Sequence, residues 1–173
     1  MRHPPKLALV GCGKMGGALL KGWLSAEVDI DITVVQPRPL SQDLLRQGYH
    51  YSPNLVPEEQ FDIFVIAVKP QVMSEVVAEL REVASSDSLI LSVAAGLPLK
   101  FFENRLAESQ PIIRVMPNIP AAIGKGVSVG SANHCVTIAQ KQITEELLQC
   151  VGTFHWLEDE SLMDAVTAIS GSG

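Results

Sequence analysis

Along this chain, short apolar runs alternate with longer stretches whose apolar positions recur every three or four residues. The short runs predict strands at Leu7–Val10, Ile32–Val35, Ile63–Val68, Leu89–Val93 and Ile112–Met116. Ile63–Val68 is apolar throughout, as a strand buried on both faces requires. The longer stretches predict helices. Met15, Leu19, Leu20 and Trp23 share one face of the first, and Val72, Val76, Val77, Leu80 and Val83 one face of another. A short helix is expected around Ser41–Gln47, stopped by Gly48, with a brief strand at Tyr49–Tyr51. Pro70 and Pro98 each suit the start of a helix. Repeated strand–helix–strand units predict an α/β fold with a mostly parallel, doubly wound sheet.

After Met116 the pattern changes. Pro117-Asn118-Ile119-Pro120 reads as a rigid loop and Val127–Val129 as a strand. Thr137–Val151 reads as a helix ending at Gly152, and Thr153–Leu157 as a last strand, antiparallel at the sheet edge. Glu160–Ile169 is helical in pattern again, followed by Ser170-Gly171-Ser172-Gly173. Residues 1–157 are expected to form one domain, and 158–173 to open a second whose remainder the chain lacks.

The first strand turns into Gly11, Gly13 and Gly16 before the first helix, the G-x-G-x-x-G spacing of a dinucleotide cradle. In that role Gly11 permits the tight turn, Gly13 lets backbone approach a pyrophosphate, and Gly16 lets helix and strand pack closely. Phosphates would sit on free N–H groups at the positive end of the helix dipole. The competing reading is a glycine-rich turn in a flavodoxin-like sheet that holds no ligand.

Composition narrows the partners. The net charge of −6 over 173 residues argues against a nucleic acid or an anionic membrane surface. Cys12, Cys135 and Cys150 show no paired spacing, and the four histidines are scattered, so neither a disulfide frame nor a metal site is expected. No segment approaches the ~20 apolar residues of a membrane span, and the expected location is the cytoplasm.

A nucleotide without a 2′-phosphate is usually held by an Asp or Glu about 20 residues beyond the glycines. Here the stretch reads Val34-Val35-Gln36-Pro37-Arg38-Pro39, with Asp31 before the strand and Asp43 well after it. Arg38 stands where a guanidinium could clamp a 2′-phosphate, or it is a solvated loop residue. The expected cofactor is therefore NADP, with NADPH preferred over NADH. Lys69 ends a central strand on the side where open α/β sheets bind ligands.

Five segments together resemble pyrroline-5-carboxylate reductase. They are Val10–Gly16, Ala67-Val68-Lys69-Pro70-Gln71, Ser92-Val93-Ala94-Ala95-Gly96, Arg114–Pro120 and Asp164–Gly173. The resemblance implies an NADP-binding Rossmann domain followed by a helical dimerisation domain. It implies reduction of 1-pyrroline-5-carboxylate to L-proline by a homo-oligomer. It places Val10, Gly11, Cys12, Gly13, Lys14, Met15 and Gly16 at the pyrophosphate turn and Arg38 near the adenosine phosphate. Asn54, Val68, Lys69, Pro70 and Ala95 would flank ribose and nicotinamide, with Asn118 toward the substrate. The family's carboxylate-gripping segment and proposed proton donor are not found, so no catalytic residue is assigned and this chain alone is expected to be nearly inactive. A reductase of the β-hydroxyacid dehydrogenase type and a non-catalytic NADP-binding module are the alternatives.

Overall fold

The computed structural model describes residues 3–40 and 48–170. The short helix expected at Ser41–Gln47 and the final Gly171-Ser172-Gly173 lie outside them. One eight-stranded sheet carries β1 (Lys6–Val10), β2 (Asp31–Val35), β3 (His50–Ser52), β4 (Ile63–Ile66), β5 (Leu89–Ser92), β6 (Ile112–Met116), β7 (Gly126–Ala132) and β8 (Gly152–Trp156). Among the described residues five α-helices accompany it: α1 (Lys14–Ser25), α2 (Met73–Val83), α3 (Leu99–Glu103), α4 (Ile138–Gln149) and α5 (Leu162–Ser170).

The strand order is β3-β2-β1-β4-β5-β6-β7-β8. The first six strands are parallel in the order of a doubly wound dinucleotide-binding sheet, which removes the flavodoxin-like alternative. β7 runs antiparallel to β6. β8 lies at the edge as expected, but its neighbour β7 runs parallel to it, so the two together oppose the first six.

The strands are apolar because both faces are covered. Leu7 and Leu9 point into one core with Leu19, Leu20 and Trp23 of α1 and Leu147 and Leu148 of α4. Ala8 and Val10 point into the other, with Met73, Val77 and Leu80 of α2 and Leu99 and Phe102 of α3. Each such Leu or Phe contributes about 1.5–3 kcal/mol by leaving water. Trp23 also donates its indole N–H to the Leu147 carbonyl at 2.9 Å, fastening α1 to α4.

Three expectations need correction. Pro70 opens a 3-10 turn over Pro70–Val72 rather than α2 itself. Its tighter winding takes Val72 out of phase with the buried Met73–Val77–Leu80 stripe, and Val72 is 41% exposed. The loop after Pro117 is also 3-10, over Ile119–Ile123, closed by Gly124 at φ +70. Gly152 begins β8 instead of ending a helix. Thr137 caps α4 in a reciprocal capping box with Gln140, and Cys150 ends it.

Beyond β8 the chain crosses to the α2–α3 face, where an ion-pair cluster holds it. Arg114 of β6, 5% exposed at its side chain, pairs with Glu160 at 2.9 Å and Asp164 at 3.5 Å. Glu160 also accepts the Leu99 N–H at 2.8 Å, satisfying the first turn of α3.

Candidate functional site: the glycine turn and its cleft

β1 ends at Val10, and the backbone reverses at Gly11 with φ +86. The Gly11 N–H donates to the Val35 carbonyl at 2.9 Å, and a side chain here would come within 2.8 Å of Val68 Cγ1. Gly16 lies in the first turn of α1, where a Cβ would overlap the Gly11 carbonyl oxygen. These two glycines bring helix and strand together. Gly13 differs: among the described residues a Cβ there meets nothing within 4 Å, so its surface faces open space.

Gly13 is also the N-cap of α1, and among the described residues no side chain caps the helix. The first helical bond runs from the Gly17 N–H to the Gly13 carbonyl at 2.8 Å. The N–H groups of the preceding turn therefore have no helical acceptor. An open glycine beneath an uncapped helix N-terminus fits an anionic pyrophosphate.

A cleft of about 520 Å³ opens at the carboxyl ends of β1, β2 and β4. Its lining includes Val10, Gly11, Gln36, Asn54 and Val68, together with Val72, Glu75, Val76 and Glu79 at and after the turn that leads into α2. Across the turn, a hollow of about 260 Å³ is lined by residues that include Cys12, Gly13, Lys14, Gly17 and Lys21. Burial pushes the Cys12 thiol above its ordinary range, opposed by the Lys21 ammonium, so Cys12 is a neutral thiol at physiological pH.

The structure thus brings Val10, Gly11, Asn54 and Val68 together in the cleft and Cys12, Gly13 and Lys14 in the neighbouring hollow. Met15 is half-buried against the core at the start of α1. Arg38, Lys69, Pro70, Ala95 and Asn118 line neither space. The first four are exposed, just beyond the carboxyl ends of β2, β4 and β5. Asn118 is half-buried, and its Oδ1 accepts the Val127 N–H at 2.9 Å, mooring its loop to the start of β7.

Sequence reasoning missed Gln36. It stands beyond β2 where an acid was sought, and its Oε1 accepts the Cys12 N–H at 3.1 Å. The signal was the polar residue that filled the position, rather than the acid absent from it. Glu75 and Glu79 were also missed; their spacing of four on α2 places both on one exposed face.

Residues 6–96 match the family described as NADP oxidoreductase, coenzyme F420-dependent. Among curated relatives, the pyrroline-5-carboxylate reductase of Methanosarcina acetivorans is 37% identical over 174 residues, covering 97% of this chain and 64% of that protein. The solved pyrroline-5-carboxylate reductase of Coxiella burnetii superposes with a TM-score of 0.86 at 27% identity, over 98% of this chain and 64% of that one. The Plasmodium falciparum pyrroline carboxylate reductase with NADP bound gives 0.82 at 26% identity, over 100% and 64%. The chain spans just under two thirds of the length of each of these proteins. On the match over more than half of its residues, this chain belongs to the NADP oxidoreductase, coenzyme F420-dependent family, and over nearly all of its length it is similar to pyrroline-5-carboxylate reductases.

Proposed function

We propose that this chain is the NADP-binding part of a pyrroline-5-carboxylate reductase, and that the whole protein reduces 1-pyrroline-5-carboxylate to L-proline. The observation that carries the reading is the turn at Gly11–Gly16. Two of its glycines are sterically required, and the third, Gly13, is open beneath an uncapped helix. The similarity to a reductase with NADP bound supports the choice of nucleotide. The nicotinamide supplies the hydride for reducing a C=N bond when it is bound. The residues of this chain bind and orient it. Gly13, Lys14 and Met15 offer backbone N–H groups to the pyrophosphate, and Cys12 closes the turn behind them. Asn54 and Val68 flank the ribose from the cleft wall. Arg38 carries the 2′-phosphate, while Lys69, Pro70 and Ala95 border the nicotinamide end. Asn118 lies toward the substrate.

Residues 1–157 form the nucleotide domain, and 158–173 begin the helical region through which the whole protein forms a homo-oligomer. The protein works in the cytoplasm. Titration of this chain with each reduced nucleotide tests the reading. NADPH should bind roughly tenfold or more tightly than NADH, and Arg38→Ala should narrow the gap. Turnover of pyrroline-5-carboxylate by this chain alone should be very slow. No binding of either nucleotide would sink the proposal, and equal affinities would remove Arg38 from it.

A further inference from the structure

The Gln36 side chain makes two bonds of opposite sense. Its Oε1 accepts the Cys12 N–H at 3.1 Å, and its Nε2 donates to the Arg38 carbonyl at 2.6 Å. The amide has one working orientation. Exchanging its nitrogen and oxygen would set N–H against N–H and carbonyl against carbonyl. The backbone of residue 36 is fixed as well, with its N–H on the Ser52 carbonyl at 3.1 Å and its carbonyl on the Tyr51 hydroxyl at 3.1 Å.

Arg38 lies between Pro37 and Pro39. The proline rings fix φ on both sides, and Pro39 holds Arg38 itself to extended conformations. A stiff loop with a single amide tether at its centre has little freedom to re-aim. A carboxylate at position 36 could still take the Cys12 N–H. It would have no donor for the Arg38 carbonyl, and it would add a negative charge beside the phosphate that Arg38 is read to bind.

We propose that Gln36 is a positioning residue that sets the preference for a 2′-phosphorylated nucleotide. It ties the glycine turn to the 37–39 loop, so that the backbone from which the Arg38 side chain extends is held beside that turn. The proposal rests on reading the cleft as the nucleotide site.

The test is a set of dissociation constants for NADPH and NADH, measured on the wild-type chain, Gln36→Glu, Gln36→Ala, Arg38→Ala and the Gln36→Ala/Arg38→Ala pair. Gln36→Glu should weaken NADPH by roughly tenfold or more while leaving NADH within about threefold. Gln36→Ala should weaken NADPH less, and should add nothing once Arg38 is already alanine, because it acts through that residue. Equal losses for both nucleotides, or additive losses in the pair, would overturn the proposal. If Gln36→Glu does not fold, the alanine cycle decides alone. A wild-type chain that binds neither nucleotide brings down the underlying reading. A wild-type chain that prefers NADPH, with unchanged Gln36 variants, brings down only this inference.

Discussion

Gly13 and Gly16 sit three positions apart in one turn and answer to different demands. Gly16 is required by the fold, because any Cβ would strike the Gly11 carbonyl oxygen. Gly13 is unconstrained by its neighbours, so the protein itself gives no reason for its small size. Alanine substitutions should separate the two. Gly16→Ala should lower the unfolding free energy in urea by about 2 kcal/mol or more, as forced overpacking does. Gly13→Ala should stay within about 1 kcal/mol of wild type and still lose most of its NADPH affinity. A Gly13→Ala variant with undiminished affinity would show that the nucleotide does not approach this backbone. Gln36 adds a second lesson about single positions. Its type was plain in the sequence, but its two partners are Cys12, brought beside it by the β1–β2 pairing, and Arg38, reached through a local turn.

Elements were legible where one period dominated. β1, β2 and β6 follow from their apolar runs, and α1 from its buried face of Leu19, Leu20 and Trp23. The 3-10 turn at Pro70–Val72 was not legible, because three residues are too few to display a period. The direction of β7 was equally hidden, since alternation along a strand says nothing of which way its neighbour runs, and β8, expected antiparallel at the edge, opposes the first six strands but runs parallel to β7. Neither was the anchorage of α5. Arg114 reads as a polar break in an apolar strand until Glu160 arrives from 46 residues away. Removing the two partners of this pair should have unequal effects. Glu160→Ala leaves a guanidinium that is 5% exposed facing Asp164 at the longer 3.5 Å contact, and it strips the Leu99 N–H of its acceptor. A cost of about 3 kcal/mol is expected. Arg114→Met leaves Glu160, a quarter exposed, free to hydrate, and fills the core with an apolar chain of similar length. It should cost clearly less. Chemical denaturation of the two variants compares them directly, and the opposite ranking would mean that the carboxylates, not the guanidinium, bear the burial.

The molecule couples its cleft to its stability through the helices beneath it. A nucleotide that binds only the folded chain at about a hundred times its dissociation constant adds about 2.7 kcal/mol to the unfolding free energy. The melting temperature should therefore climb with NADPH concentration, and more steeply than with NADH. A flat response would exclude a site built on the native turn. The indole of Trp23 bears on how that turn comes to exist. Its hydrogen bond reaches Leu147, 124 residues further along, and Leu147, Leu148 and Val151 share its core. The helix that follows the glycine turn is thus braced by a segment synthesised 124 residues later. During synthesis, the glycine turn emerges early and waits for α4 before its supporting core is complete. A nascent chain arrested before α4 would carry the whole fingerprint and still lack the brace that fixes it.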